Sequence, residues 1–233
     1  MEKGLIKNPI IVALDLDDPA KALQMADDLG EVVGAFKIGP RLIMREGLSF
    51  VRKIAQQAPV FMDMKHFDIP TTMVSAVQAS FDAGASLVTV HALAGLEALQ
   101  ECAKLEMKLN SVRPFKILAV TILTSWDQSS LPVNLIPKPI SSHVEDLASL
   151  AEQAGLTGVV CSGHELKLLK NKKMFKVVPG IRMDLESHQD QKRVMNPKQA
   201  LELGATALVV GRPIVEAPHP REAALDYVMA TLP

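Results

Sequence analysis

Short β-branched runs recur along the whole chain, at residues 10–14, 34–38, 60–64, 87–90, 117–123, 158–160, 176–178 and 207–210. Between them lie stretches with helical periodicity or long polar loops. Strand–helix alternation repeated eight times predicts a parallel sheet closed into an α/β barrel of the (β/α)8 TIM type; an open doubly-wound sheet is the competing architecture. The helices carry explicit punctuation. Asp18-Pro19 and Asn196-Pro197 each set a capping side chain before a proline at the first helical position. Gly30, Gly84 and Gly204 follow apolar helical runs, where left-handed C-terminal caps are expected.

At 233 residues the chain matches the usual size of one such barrel, about 250 residues, so a single domain over 1–233 is expected. Aromatics are only 4% of the composition, so the core must rest on Val, Ile, Leu, Ala and Met. A net charge of −1, with no like-charge cluster beyond Lys170, Lys172 and Lys173, offers no footprint for nucleic acid or an anionic membrane. Cys102 and Cys161 lie far apart and outside any CxxC spacing, which fits a reducing compartment. The N-terminal residues lack a signal peptide's apolar run, and no stretch of 18 apolar residues occurs. A soluble cytoplasmic protein is expected.

A second regularity sits at the C-terminal ends of the runs, the face on which barrels of this type build active sites. There the chain places Asp15, Lys37, Asp63 with Lys65, His91, Thr124, Ser162, Arg182 and Arg212. Along a strand, residues two apart share a face. In the third run this sets Phe61, Asp63 and Lys65 on the inner side, and Met62 and Met64 toward the helices. Asp15 follows Ile11 and Ala13 inward on the first strand, and Lys37 follows Ala35 on the second. Asp68 adds a third carboxylate just beyond. Burying ions costs several kcal/mol each unless they are paired, so a barrel needing only stability would carry Val or Ile there. Alternating lysine and aspartate instead tune one another's pKa values, as proton transfer requires. A purely structural ion-pair network is the blander alternative.

The seventh and eighth runs end in Gly180-Ile181-Arg182 and Gly211-Arg212. In these barrels the corresponding loops commonly bind phosphate through backbone N–H groups, and an arginine fork matches phosphate oxygens in two places. A phosphorylated small substrate is expected. Two connections, 125–142 and 182–195, are long enough to act as lids or substrate clamps, with the helix after the first expected near His143. The apolar run 42–44 and the Met and Leu residues at helical spacing in 96–109 read as ordinary core. Cys161 reads as a buried small residue, and His66 as packed or half-exposed. His143, His164, His188 and His219 show no metal-ligand spacing.

Taken together, residues 11–15, 36–39, 61–72, 119–125, 158–162, 178–182, 190–191 and 209–213 resemble the bacterial orotidine 5′-phosphate decarboxylases over essentially the whole chain. The resemblance implies a barrel of the ribulose-phosphate-binding type. It implies a carboxy-lyase that converts orotidine 5′-monophosphate to uridine 5′-monophosphate and CO2 in pyrimidine biosynthesis, with no cofactor and no metal. Lys65 would donate the proton that quenches the carbanion at C6, and Asp63 would lie beside the departing carboxylate. Lys37 would complete the array and touch the ribose, and Asp15 would hold a ribose hydroxyl. Ile69, Pro70, Thr72, Thr124 and Ser125 would contact the substrate, while Arg182, Gln191, Gly211 and Arg212 would grip its phosphate. Asp68 would reach into a neighbouring subunit's site, which implies a homodimer. Two departures stand out: Phe67 occupies the place of a histidine, and His91 is followed by Ala-Leu-Ala-Gly95 rather than a glycine pair.

Magnesium-dependent siblings of the superfamily, acting on sugar phosphates, resemble the Asp63–Asp68 run but typically place a glutamate where Lys37 stands. A protonated lysine cannot join a magnesium ligand set, so Lys37 discriminates. A non-enzymatic phosphate-binding barrel would predict a broken charge array, yet every member is present.

Overall fold

The computed structural model describes residues 4–133, 135, 138–183 and 194–232. Eight strands pair in parallel and in chain order, the last closing on the first: β1 (Ile10–Ala13), β2 (Ala35–Ile38), β3 (Val60–His66), β4 (Ala85–His91), β5 (Lys116–Val120), β6 (Gly158–Val160), β7 (Phe175–Pro179) and β8 (Ala207–Val210). The expected barrel is present. Its boundaries shift: β3 runs two residues further than its apolar run, to His66, and β5 stops at Val120, three residues earlier than expected.

Helices cover the outside: α1 (Pro19–Leu29), α2 (Pro40–Glu46), α3 (Leu48–Ile54), α4 (Pro70–Asp82), α5 (Leu96–Asn110), α6 (Ile140–Ala154), α7 (Pro197–Glu202), α8 (Arg212–Val215) and α9 (Pro220–Met229). The alternation is not fully regular. Between β6 and β7 the chain makes only a 3-10 turn at Gly163–Glu165 and further turns, with no α-helix. The segment still buries Leu166 and Leu169, but it is short and reaches lysines 170, 172 and 173 at once, and it does so through turns. Helix α6 begins at Ile140, three residues before His143. None of the described helices is long and apolar enough to cross a membrane.

Two apolar layers result. The barrel interior holds Ile11, Ala13, Ala35, Phe61, Leu87, Leu118, Phe175, Val177, Ala207 and Val209, with Leu5 and Ile6 packed among them. Phe36, Met62 and Val88 belong to the larger layer between strands and helices. Each fully buried Phe, Leu or Ile contributes about 1.5–3 kcal/mol of transfer free energy. Two methionines expected in this core are not there, since Met44 is 77% exposed and Met107 72% exposed. On α5 the inward stripe instead takes Glu106, which is 6% exposed. Its carboxylate accepts from the Ile117 amide at 2.6 Å and pairs with Lys116 Nζ at 3.3 Å. A satisfied ion pair thus occupies an inward position of α5, while the next residue, Met107, falls on its exposed face.

The caps behave as their chemistry dictates. Asp18 accepts from the Ala20 amide at 2.8 Å, and Asn196 from the Lys198 amide at 3.0 Å. Gly84 and Gly204 take left-handed caps at φ 101° and 94°. Gly30 does not: its φ is −57°. Glycine is needed there for space, because a Cβ would lie 2.9 Å from Ala26 O and 3.0 Å from Gln57 O. The tightest approach is at Gly34, where a Cβ would fall 2.0 Å from the Asn8 carbonyl oxygen. Asn8 cannot yield easily, as its side chain bonds both Val32 O and the Ile10 amide. We expect Gly34→Ala to cost more than about 3 kcal/mol, read as a lower denaturant midpoint. A midpoint within error of the wild type would contradict the rigidity of this corner.

Candidate active site

At the C-terminal ends of the strands the barrel opens into a cleft of about 630 Å3. Its floor is apolar, with Ala13, Phe61, Val120, Val160, Val177 and Val209, and its rim is charged. Of the residues singled out from the sequence, Asp15, Lys37, Asp63, Lys65, Thr124, Arg182, Gly211 and Arg212 meet there. His91 and Ser162, also at strand ends, do not line it. His91 caps a 3-10 turn by accepting from the Leu93 amide, and Ser162 is buried in a capping box with Glu165.

On one side the charges alternate. Lys37 Nζ lies 2.9 and 3.0 Å from the two oxygens of Asp15, and 3.9 Å from Asp63 Oδ2. Lys65 Nζ lies 2.9 Å from both oxygens of Asp63. The side chains of Lys37 and Asp63 are only 12% and 16% exposed, whereas those of Lys65 and Asp15 are 39% and 53% exposed. The inner members therefore interact in a poorly screened setting, and Lys65 keeps an open face toward the cleft.

The strand that delivers Asp63 and Lys65 is not regular. Met62 pairs with Val88 and His66 with Val90, so Asp63, Met64 and Lys65 stand opposite Thr89 alone. This bulge carries the only left-handed non-glycine residue among those described, Lys65 at φ 49°. Strict alternation gave the correct facing for both charges, but a bulge produces it. Thr89 is fully buried and bonds to both, donating to Asp63 Oδ1 at 2.9 Å and accepting from the Lys65 amide at 2.8 Å. It was legible in principle, since it lies two residues beyond inward-facing Leu87. The cleft also takes Arg41, which donates to Asp15 O at 3.0 Å and lies 3.6 Å from Asp17, and Glu216. Neither had a motif to announce it.

The rim next to β1, at the ends of β7 and β8, gathers Gly180, Arg182, Gly211 and Arg212. The stem of the β7–α7 connection is pinched by Met195 N donating to Gly180 O and Arg182 N to Met195 O, each at 3.1 Å. A Cβ on Gly211 would meet nothing nearer than Ala13 Cβ at 3.6 Å, so packing alone does not demand glycine. Gln191, and most of the 182–195 connection expected to act as a lid, lie outside the described residues.

Asp68, Ile69, Pro70, Thr72 and Ser125 do not line this cleft. Asp68 is exposed and its carboxylate accepts from the Ile69 amide at 2.7 Å. Its chain neighbours Phe67 and Ile69 are 62% and 64% exposed. Among the described residues no group of three or more His, Cys, Asp or Glu side chains is arranged to hold a metal ion.

His66 is half-buried, 3.5 Å from Ser80 Oγ, and burial lowers its pKa. The pKa of His91 is lowered too, by burial first and then by the Lys65 cation. Both are held neutral by the fold, so stability is present above the unfolded histidine value of about 6.5 and is lost as pH falls below it. The thermal midpoint should decline from about pH 7 toward pH 5, and His66→Gln should flatten that decline. An unchanged slope in the variant would rule His66 out as a contributor.

Comparison with known proteins gives a consistent picture. The model of the "Orotidine 5′-phosphate decarboxylase / HUMPS family" matches residues 8–227. A protein of Shewanella sediminis named orotidine 5′-phosphate decarboxylase is 41% identical over 216 residues, covering 91% of this chain and 92% of that protein. One of the same name from Dichelobacter nodosus is 40% identical over 229 residues, covering 97% and 99%. Among solved structures, the orotidine 5′-phosphate decarboxylase of Lactobacillus acidophilus superimposes with a TM-score of 0.83 at 32% identity, covering 97% of this chain and all of that one, 100%. An uncharacterized conserved protein of Geobacillus kaustophilus gives 0.81 at 27% identity, covering 96% and 100%.

Proposed function

This chain belongs to the orotidine 5′-phosphate decarboxylase / HUMPS family, and we propose that it releases CO2 from orotidine 5′-monophosphate to give uridine 5′-monophosphate, as a step of pyrimidine biosynthesis. The observation that carries this reading is the alternating array Asp15–Lys37–Asp63–Lys65 on the rim of the cleft. A lysine between two carboxylates supplies fixed positive charge where the metal-dependent siblings would need an oxygen ligand.

In the reaction the bond from C6 of the pyrimidine to the carboxylate breaks and its electron pair stays on C6. Lys65 stabilises that developing charge and then transfers a proton from Nζ to C6; the amine regains its proton from solvent. Because the cation is in place before the charge develops, it favours the transition state over the ground state. Asp63, 2.9 Å from Nζ, holds the ammonium in position and would lie beside the substrate carboxylate. Lys37 and Asp15 address the ribose, and Thr124 the pyrimidine. Arg182, Gly211, Arg212 and Gln191 grip the phosphate, so that remote binding energy assists the reacting centre.

The active form we propose is a homodimer. Phe67 and Ile69 expose apolar surface on either side of Asp68 in the chain, and neither lines the chain's own cleft. Such a patch is characteristic of an interaction surface, and a second copy seated on it would bring Asp68, with Ile69, Pro70 and Thr72, toward the neighbouring site, while Ser125 would approach the pyrimidine beside Thr124 of its own chain. Two free, buried cysteines suit a cytoplasmic setting.

The test is a metal-free assay of CO2 release from orotidine 5′-monophosphate with EDTA present. Full turnover is expected. Activity that appears only on adding magnesium, or nucleotide binding without CO2 release, would overturn the reading.

A further inference from the structure

The charge array explains what acts on the substrate but not what aims Lys65. In the bulge of β3 three residues face one on β4, so the Lys65 amide has lost its place in the strand ladder. It donates instead to Thr89 Oγ1 at 2.8 Å. The chemistry of the partners fixes the direction of both bonds. An amide can only donate, so the hydroxyl accepts from Lys65; an ionised carboxylate can only accept, so the hydroxyl proton goes to Asp63 Oδ1, 2.9 Å away. Asp63 in turn receives Lys65 Nζ at 2.9 Å. The result is a closed ring: Lys65 backbone, Thr89 hydroxyl, Asp63 carboxylate, Lys65 ammonium.

We infer that the Thr89 hydroxyl is a positioning residue for proton delivery. It holds the backbone of Lys65 in its left-handed conformation and orients the carboxylate that steers the same residue's ammonium. A left-handed lysine is disfavoured and persists only where its surroundings enforce it. Thr89 has no solvent exposure and does not line the cleft, so it acts through Asp63 and Lys65 rather than on substrate. Serine at this position would preserve both bonds; alanine would remove both. Each lacks the γ-methyl, so their difference isolates the hydroxyl.

This inference rests on the decarboxylase reading. The experiment compares kcat and KM of the wild type, Thr89→Ser and Thr89→Ala for orotidine 5′-monophosphate, with Tm of all three. The serine variant should keep kcat within a few-fold of the wild type. The alanine variant should lose roughly 10²-fold in kcat, the scale of an ångström-level misplacement, with little change in KM because the phosphate end is untouched. A purely structural role would lower both Tm values without separating the two kcat values, and equal kcat for serine and alanine would overturn the inference. Should alanine not fold, Thr89→Val replaces it, filling the same volume without a hydroxyl. Absence of CO2 release from the wild type would remove the decarboxylase reading, and this inference with it. Wild-type turnover with equal variants removes the role of Thr89 alone.

Discussion

Replacing Lys65 with alanine should lower turnover by roughly 10⁴-fold or more while leaving the barrel folded. Proton donation by a positioned group is worth about 10²–10⁴-fold and a preorganised charge at the reacting centre about 10²–10³-fold, and Lys65 supplies both. The fold should survive because alanine inherits the φ of 49° at no greater backbone cost than lysine already bears. Asp63 is not left alone either, since Thr89 still donates to it at 2.9 Å and Lys37 remains 3.9 Å away. Lys65→Arg should fare little better, because a guanidinium does not give up its proton near neutral pH. Steady-state CO2 release and a thermal melt together read both halves of this expectation. An alanine variant with near wild-type turnover would transfer the proton donor elsewhere in the cleft.

The second large effect concerns Asp68. Asp68→Ala should be nearly inactive by itself, although its carboxylate is exposed and, among the described residues, bonds only its own Ile69 amide. Mixing it with Lys65→Ala should then restore activity. In a heterodimer of the two, one site receives Lys65 from one chain and Asp68 from the other and is intact, while the second site lacks both. Random pairing makes about half of the dimers mixed, each with one working site, so recovery should approach roughly a quarter of the wild type. Recovery must follow subunit exchange, and sedimentation should show a dimer before and after. If the two inactive variants stay inactive once mixed dimers have been verified, Asp68 does not serve across the interface. The exposed Phe67 and Ile69 offer a further check, since charged substitutions there should dissociate the dimer.

The sequence already located much of this site because two periodicities coincide in a barrel. Period two along each strand sends Ile11, Ala13, Ala35 and Phe61 inward, and the next inward positions carry Asp15, Lys37 and Asp63 onto the rim. The parallel order of strands then brings those rims to one end. On β8 the same count leads from Val209 to Gly211, whereas Arg182 and Arg212 fall out of phase with their strands and reach the cleft from the turns that follow them. Where periodicity fails, legibility fails with it. The bulge at Asp63–Lys65 arises from a register shift against β4 that no local pattern in β3 announces. Glu106 takes an inward helical position because Lys116 and the Ile117 amide wait for it, which is a tertiary fact. Gly30 reads as a left-handed cap from its place after a helix, yet its real constraint is the Gln57 backbone pressed against it.

By itself the sequence determined the barrel, the strand order and the identity of the charged rim, because these follow from local periodicity, capping and the cost of burying charge. Only the tertiary structure decided how the rim is wired. That Lys37 lies between Asp15 and Asp63, that Lys65 turns back onto Asp63, and that Thr89 binds both are consequences of register between neighbouring strands. Register is set by side chains that meet across the sheet, and such meetings are not written in either strand alone.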